Sequence, residues 1–159
     1  MTSPTLSPAA VLESTWHEQI PLSRALQLRV SDFEADALET RAPLAPNINL
    51  HGTAFAGSLY AVCALTGWGY VWRLGRAHGW HGDIVLTRGE IDYRRPVRSE
   101  IVCAASTDSD AKAAFVEALA NGRAGRCQVR CVIEDAERTA VEFSGAYHMR
   151  PGDCAARPR

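Results

Sequence analysis

Asn47, Asn49 and His51 alternate along one short run, and directly after Gly52 the chain carries no charged side chain until Arg73. In an extended loop, alternate residues project to one side, so two amides and an imidazole would converge on a ligand or a water. Gly57 and Ser58 follow where a long helix would begin. The amides of a first helical turn have no partner within the helix and sit at the positive end of its dipole, which suits them to hold developing negative charge. Gly57 lets a ligand come close to the backbone. Further along, Thr66 has a hydroxyl that would orient a water or bond back to the preceding turn. Each of these residues also has a plain structural reading. Asn47 and Asn49 are residue types that satisfy loop backbone, His51 would be a hydrogen-bonding loop residue, and Thr53 reads as the helix N-cap rather than as a catalyst. Ser58 is not surrounded by the His and acid order of a hydrolase nucleophile. His78 and His81 form an HxxH without cysteine or acidic neighbours, so neither a metal nor another cofactor is expected.

The element that must position these groups is the stretch from Thr53 to Leu74. A helix apolar on all sides either crosses a bilayer or is wrapped by protein. Its small and polar residues, Gly57, Ser58, Thr66, Gly67 and Gly69, favour the wrapped helix, and the chain has no second apolar span. Before it, residues 8–19 read as a short amphipathic helix with Val11, Leu12 and Trp16, packed as a lid on a sheet edge. Strands are expected from Leu26, with Leu28 and Val30 on its face, and over 37–44. Asp83 to Arg95 alternates, with Val85, Thr87, Ile91 and Tyr93 opposite Arg88, Glu90, Asp92 and Arg94. Ile101 to Thr107, Gly125 to Glu134 and Thr139 to Met149 complete six strands. Residues 111–122 have helical propensity or extend a strand. The expectation is an α+β domain: a six-stranded antiparallel sheet wrapped around one long central helix, with a short N-terminal helix. Residues 1–20 are assigned to a tail and that short helix, 21–150 to the domain, and 151–159 to a flexible tail. A second copy would most cheaply cover the open side of the helix, predicting a homodimer.

The 159 residues suit one domain. A net charge of -1 supplies no field for nucleic acid or anionic membrane. The first residues have no basic leader and no continuous apolar core, which predicts a cytoplasmic location. Five cysteines without CxxC spacing are expected to be thiols there, with Cys127 and Cys131 as small core residues.

The run Asn47-x-Asn49-x-His51-x-Thr53-x-Phe55-Ala56-Gly57-Ser58-Leu59, then Leu65-Thr66-Gly67-Trp68-Gly69 and Tyr93-Arg94-Arg95-Pro96-Val97, resembles the thioesterase domain at the C-terminus of YiiD-type proteins, a branch of the hotdog-fold superfamily. The similarity extends over about 21–149. The resemblance implies a hotdog fold, homo-oligomers built on a side-by-side dimer, either a homodimer or a dimer of dimers, and hydrolysis of acyl thioesters on coenzyme A or acyl carrier protein. On that reading the Gly57 and Ser58 amides form the oxyanion hole. Arg94, Arg95 and Arg98 would meet the coenzyme phosphates. Many hotdog thioesterases carry a carboxylate early in the central helix, where this chain has Ala64. The base is then Asp92 or Glu90 on the strand at the dimer contact, or His51. Both carboxylates also read as a solvated face paired with Arg88 and Arg94. Two other functions remain open at this point: a hotdog hydratase or dehydratase using His51 and a carboxylate, and a noncatalytic acyl-thioester-binding dimer.

Overall fold

The computed structural model describes residues 6–34 and 36–151. Its elements are helix α1 (Pro8–Gln19), helix α2 (Pro21–Ala25), strands β1 (Arg29–Phe33) and β2 (Leu38–Ala42), helix α3 (Ala56–Ala77), strands β3 (Gly82–Tyr93) and β4 (Ile101–Ser106), helix α4 (Ser109–Ala120), and strands β5 (Gly125–Asp135) and β6 (Arg138–Pro151). The strands form one antiparallel sheet in the order β1-β2-β4-β5-β6-β3. The sheet curls around α3, the wrapped rod expected. Among the described residues no helix is long and apolar enough to cross a membrane.

Three features explain how α3 fits. Its buried set, from Leu59 through Val62, Thr66, Tyr70 and Leu74, covers most of its circumference. Glycines on the remaining rows let the sheet come close: a Cβ at Gly67 would lie 2.7 Å from Cζ of Tyr147, and one at Gly75 would meet Met149. The helix stops at Gly79, whose φ of 74° is the left-handed conformation that ends helices; the Trp80 amide turns back to the Gly75 carbonyl at 2.9 Å.

The inner face of the sheet follows the sequence alternation on β5 and β6, where Cys127, Val129, Cys131, Ile133, Val141, Phe143 and Tyr147 are all buried. On β3 the expected facing is corrected. Ile84 and Leu86 point inward, a bulge between Leu86 and Arg88 absorbs Thr87, and Gly89 and Ile91 point inward beyond it. Because strand side chains have a period of two, one extra residue reverses the phase, so Val85 and Thr87 lie on the exposed side. Two boundaries also differ. The chain from Pro21 makes one helical turn, with Pro at its first position, before β1 begins at Arg29. Pro151, expected in the tail, closes β6, while Cys154 and the rest of that tail lie outside the described residues. Of the two readings of residues 111–122 the helix holds, as α4 over Ser109–Ala120: Asp108 caps it by accepting from the Ala111 amide at 2.8 Å, and Phe115 and Leu119 pack on Gly125.

The thiols of Cys63, Cys103 and Cys131 meet inside this core, with the Cys103 Sγ 3.9 Å from that of Cys63. Desolvation drives the Cys131 and Cys127 thiols upward, Cys127 from an ordinary 9.0 to about 11. The sign follows from linkage. The folded state holds its proton where the unfolded chain has lost it, so this stability is whole below pH 9 and is lost as pH rises toward 11. Two pH units at about 1.4 kcal/mol each make the loss from Cys127 about 3 kcal/mol at most. Urea melts at pH 8 and pH 10.5 should show the decline, and Cys127→Ala should lessen it.

Candidate active site

The residues at the start of α3 are held by a tight hairpin. Ile48 and Ala54 form a β-bridge. Between them the Asn49 amide donates to the Thr53 carbonyl at 2.8 Å, and Gly52 turns the chain at a φ of 75°. Asn49 organises the turn from inside: its Oδ1 accepts from the amides of His51 (2.8 Å) and Thr53 (3.2 Å), and its Nδ2 donates to the Thr53 hydroxyl at 3.0 Å. Thr53 is therefore not the helix cap. That position belongs to Phe55, which has no side chain able to accept, so the first turn of α3 has no side-chain cap. The hairpin is tied down on both sides, by the Ala54 amide to the Val97 carbonyl at 2.8 Å and by the Phe55 amide to the Asn47 carbonyl at 2.7 Å.

The alternation of Asn47, Asn49 and His51 does not bring the three side chains together. Asn47 is turned inward and 2% exposed. Its Nδ2 donates to the carbonyls of Leu26 (3.0 Å) and Pro43 (2.8 Å), while its buried Oδ1 has no partner among the described residues. Asn49 is consumed by its own turn. His51, at the tip of the hairpin, is exposed, as are Ala56 and Gly57, with Ser58 half-buried. The Phe55 ring lies over Gly57, where an added Cβ would be 3.0 Å from its Cζ.

Thr66 belongs to the core. Its hydroxyl donates to the Val62 carbonyl at 2.7 Å and meets the Thr40 hydroxyl at 2.7 Å, with both residues fully buried. Eight residues beyond Ser58, at about 1.5 Å of rise per residue, it sits about 12 Å along the axis from the first turn. Asp92 is also displaced from the expected role. It pairs in register with Glu142 on the outer face of the sheet, while its neighbours Ile91 and Tyr93 take the other side. Glu142 there bridges Arg94 (2.6 Å) and Arg130 (2.7 Å), and Glu90 pairs with Arg88. A second sheet added along β3 would keep the same outer face, so neither carboxylate turns toward the helix. The side chains of Arg95 and Arg98 are exposed beyond the strand end. Arg94 is shared with Glu142, so the three arginines do not act as one cluster.

Two tyrosines at this site were not singled out from the sequence as site residues. The Tyr93 hydroxyl donates to the carbonyl of Ala56, the first residue of α3, at 2.9 Å, pinning the end of β3 to the helix start. Burial raises the pKa of that phenol. Tyr60, one turn into the helix, packs edge-on against Phe143 at 5.4 Å and sets its hydroxyl over Gly89. For Tyr60 the signal in the sequence is spacing, four residues past Ala56; Tyr93 ends a strand and opens the Tyr93–Val97 run that carries the resemblance.

Exposed apolar side chains occur on the hairpin and at the end of β3: Leu50, 90% exposed, with Ile48, Phe55 and Tyr93. β3 is an edge strand of 12 residues. The model of the family described as "Putative thioesterase (yiiD_Cterm)" matches residues 9–151. The chain belongs to this family. Its match begins within α1, whose Leu12 and Trp16 are part of the core. Among solved structures, a "putative thioesterase" from Shewanella oneidensis is 35% identical with a TM-score of 0.85, covering 91% of this chain and 98% of that one. A protein of unknown function from Chlorobaculum tepidum is 26% identical with a TM-score of 0.84, covering 94% and 100%. A thioesterase from Haemophilus influenzae, 14% identical with a TM-score of 0.69 over 92% of each chain, shows the same fold. The YiiD C-terminal domain is thus a hotdog fold, and this chain carries the six strands and central helix of that fold complete.

Proposed function

We propose that the chain hydrolyses acyl thioesters carried on coenzyme A or acyl carrier protein, as a cytoplasmic homodimer joined along β3. One observation carries the reading: the first turn of α3 has no side-chain cap and is open to solvent at Gly57, with the exposed Phe55 ring over Gly57 and Tyr93 bonded to Ala56. Free amides at the positive end of a 22-residue helix are suited to an oxyanion, and apolar walls are suited to an acyl group. In the proposed reaction, His51 takes a proton from water, and the resulting hydroxide attacks the thioester carbonyl. The Gly57 and Ser58 amides hold the oxyanion. Collapse of the intermediate breaks the C–S bond, and the imidazolium returns the proton to the departing thiolate. The products are a carboxylic acid and a free thiol. Asn49 would position His51 through the hairpin, and Arg95 and Arg98 lie beyond the end of β3, where they would meet the phosphates of the carrier.

Support for the dimer comes from the place of β3 at the edge of the sheet, where a strand is a template for a second one, and from Leu50 and Phe55, which a partner would cover. A monomer in sedimentation equilibrium would remove this part of the reading, and the same measurement separates dimer from tetramer. The unpaired Cys63, Cys103, Cys127 and Cys131 are in keeping with a reducing compartment.

The test is thiol release from a panel of acyl-coenzyme A and acyl-carrier-protein substrates. Turnover is expected, with His51→Ala lowering kcat by about 10² or more, the ordinary contribution of a general base. A specific observation favours a second reading, an acyl-thioester-binding dimer without turnover: α3 has no Asp or Glu, and Asp92 and Glu90 face outward. Saturable binding without thiol release selects it. Double-bond formation without thiol release would point instead to a dehydratase.

A further inference from the structure

At the opposite end of α3 from the site above, Arg73 is half-buried and makes no ion pair among the described residues. The cleft between α1, the end of β1 and the last turns of α3 has a volume of about 440 Å³, with apolar walls from Val11, Phe33, Trp72 and Ala77 and with Arg73 and Arg76 among them. Arg76 stacks on the Trp72 ring at 4.8 Å and is exposed. Arg73 is different. Its guanidinium carbon stands 5.0 Å from the centre of the Phe33 ring, and its Nη1 is buried with no hydrogen-bond partner among the described residues. No carboxylate among the described residues pairs with it within 4.0 Å. Asp36 and Asp32 act on Arg73 only through space, and Asp36 is bonded to Lys112.

A desolvated guanidinium donor is left unmatched only at a cost, and an anion matches both its N–H and its charge. It must also cover apolar walls. The single guanidinium of Arg73 matches the two oxygens of a carboxylate, while Arg76 is held on the Trp72 ring. The volume falls within the range of small-molecule sites. We propose that this cleft binds a fatty acid, its carboxylate paired with Arg73 and its hydrocarbon chain lying along Val11, Phe33 and Trp72. An acid of this kind is also the product class of thioester hydrolysis. That link rests on the function proposed above, whereas the binding itself does not.

Calorimetric titration of the full chain with dodecanoate tests the proposal without needing turnover. Saturable binding is expected, weakened about tenfold or more by Arg73→Met, which keeps the apolar stem and removes the charge-assisted bond. Val11→Trp, which fills the cleft from another element and leaves the charge in place, should abolish it. Dodecanol should bind wild type about tenfold or more weakly than dodecanoate does, because it lacks the charge. Circular dichroism checks the fold of each variant, and since the two substitutions lie on different helices, a folding failure of one leaves the other decisive. Dodecanoate binding that is unchanged in Arg73→Met or Val11→Trp overturns the proposal. So does tighter binding of dodecyl phosphate than of dodecanoate, or no dodecanoate binding by wild type.

Discussion

Replacing Ser58 with proline is expected to lower kcat for thioester hydrolysis by about 10² to 10³-fold, the loss found when one oxyanion donor is removed, while the fold survives. An amide cannot be deleted by truncating a side chain, but proline deletes it outright. Position 58 tolerates this for local reasons. It is the third residue of α3, where the N–H has no partner within the helix, so no helical hydrogen bond is lost. Four residues back stands Ala54, outside the helix, so the proline ring avoids the carbonyl clash it would cause further along. The residue before it is Gly57, which lacks the Cβ that a following proline crowds. Ser58→Ala is the control: it keeps the amide, loses the hydroxyl, and should retain nearly full activity. Steady-state kinetics on both, with melting curves, decide the matter. An active Ser58→Pro would remove the Ser58 amide from the mechanism, and an inactive, folded Ser58→Ala would make the hydroxyl a participant.

The prediction depends on a helix legible from sequence and on a cap that was not. A run without charge from Thr53 to Trp72 can only be a surrounded rod in a chain with this much strand alternation, and α3 is that rod. Its start differs by two residues, because Thr53 is a good cap in isolation and the cap is Phe55. Asn49 captures the Thr53 hydroxyl, however, so the turn closes before the helix begins. Site residues were harder to read than elements for a similar reason. Alternation says that Asn47, Asn49 and His51 share a side only if the loop is extended, and this loop folds back at Gly52. Asp92 was assigned by phase along β3, correctly as to its outward face. What alternation could not say is that the outer face of an edge strand would stay outer if a second copy paired along it. Thr87 shows the limit most plainly: its bulge is set by a nonlocal bond from its hydroxyl to the Ala146 carbonyl at 3.1 Å, and no local pattern encodes it.

The largest expected loss of stability lies in α1. Trp16 is fully buried, and its indole rests on the backbone of α3: a Cβ at Gly69 would come within 2.5 Å of Trp16 Cζ2 and 2.9 Å of Leu38 Cδ2. Trp16→Ala should cost about 3 to 5 kcal/mol in urea unfolding, the range for emptying a large aromatic site. Trp16→Phe should cost much less. It keeps a ring in the site and removes Nε1, a buried donor with no partner among the described residues, whose desolvation is itself unfavourable. The same contact predicts a coupling. Gly69→Ala alone drives a methyl group into the indole, an overpacking loss of about 1 to 3 kcal/mol. Once Trp16 is alanine, that methyl enters vacated space, so the double variant should be more stable than the two single losses imply. Additive losses would mean that α1 lies on the sheet edge as a detachable cover. Strong coupling would make α1 part of the packing that holds α3, and with it the helix start, in place.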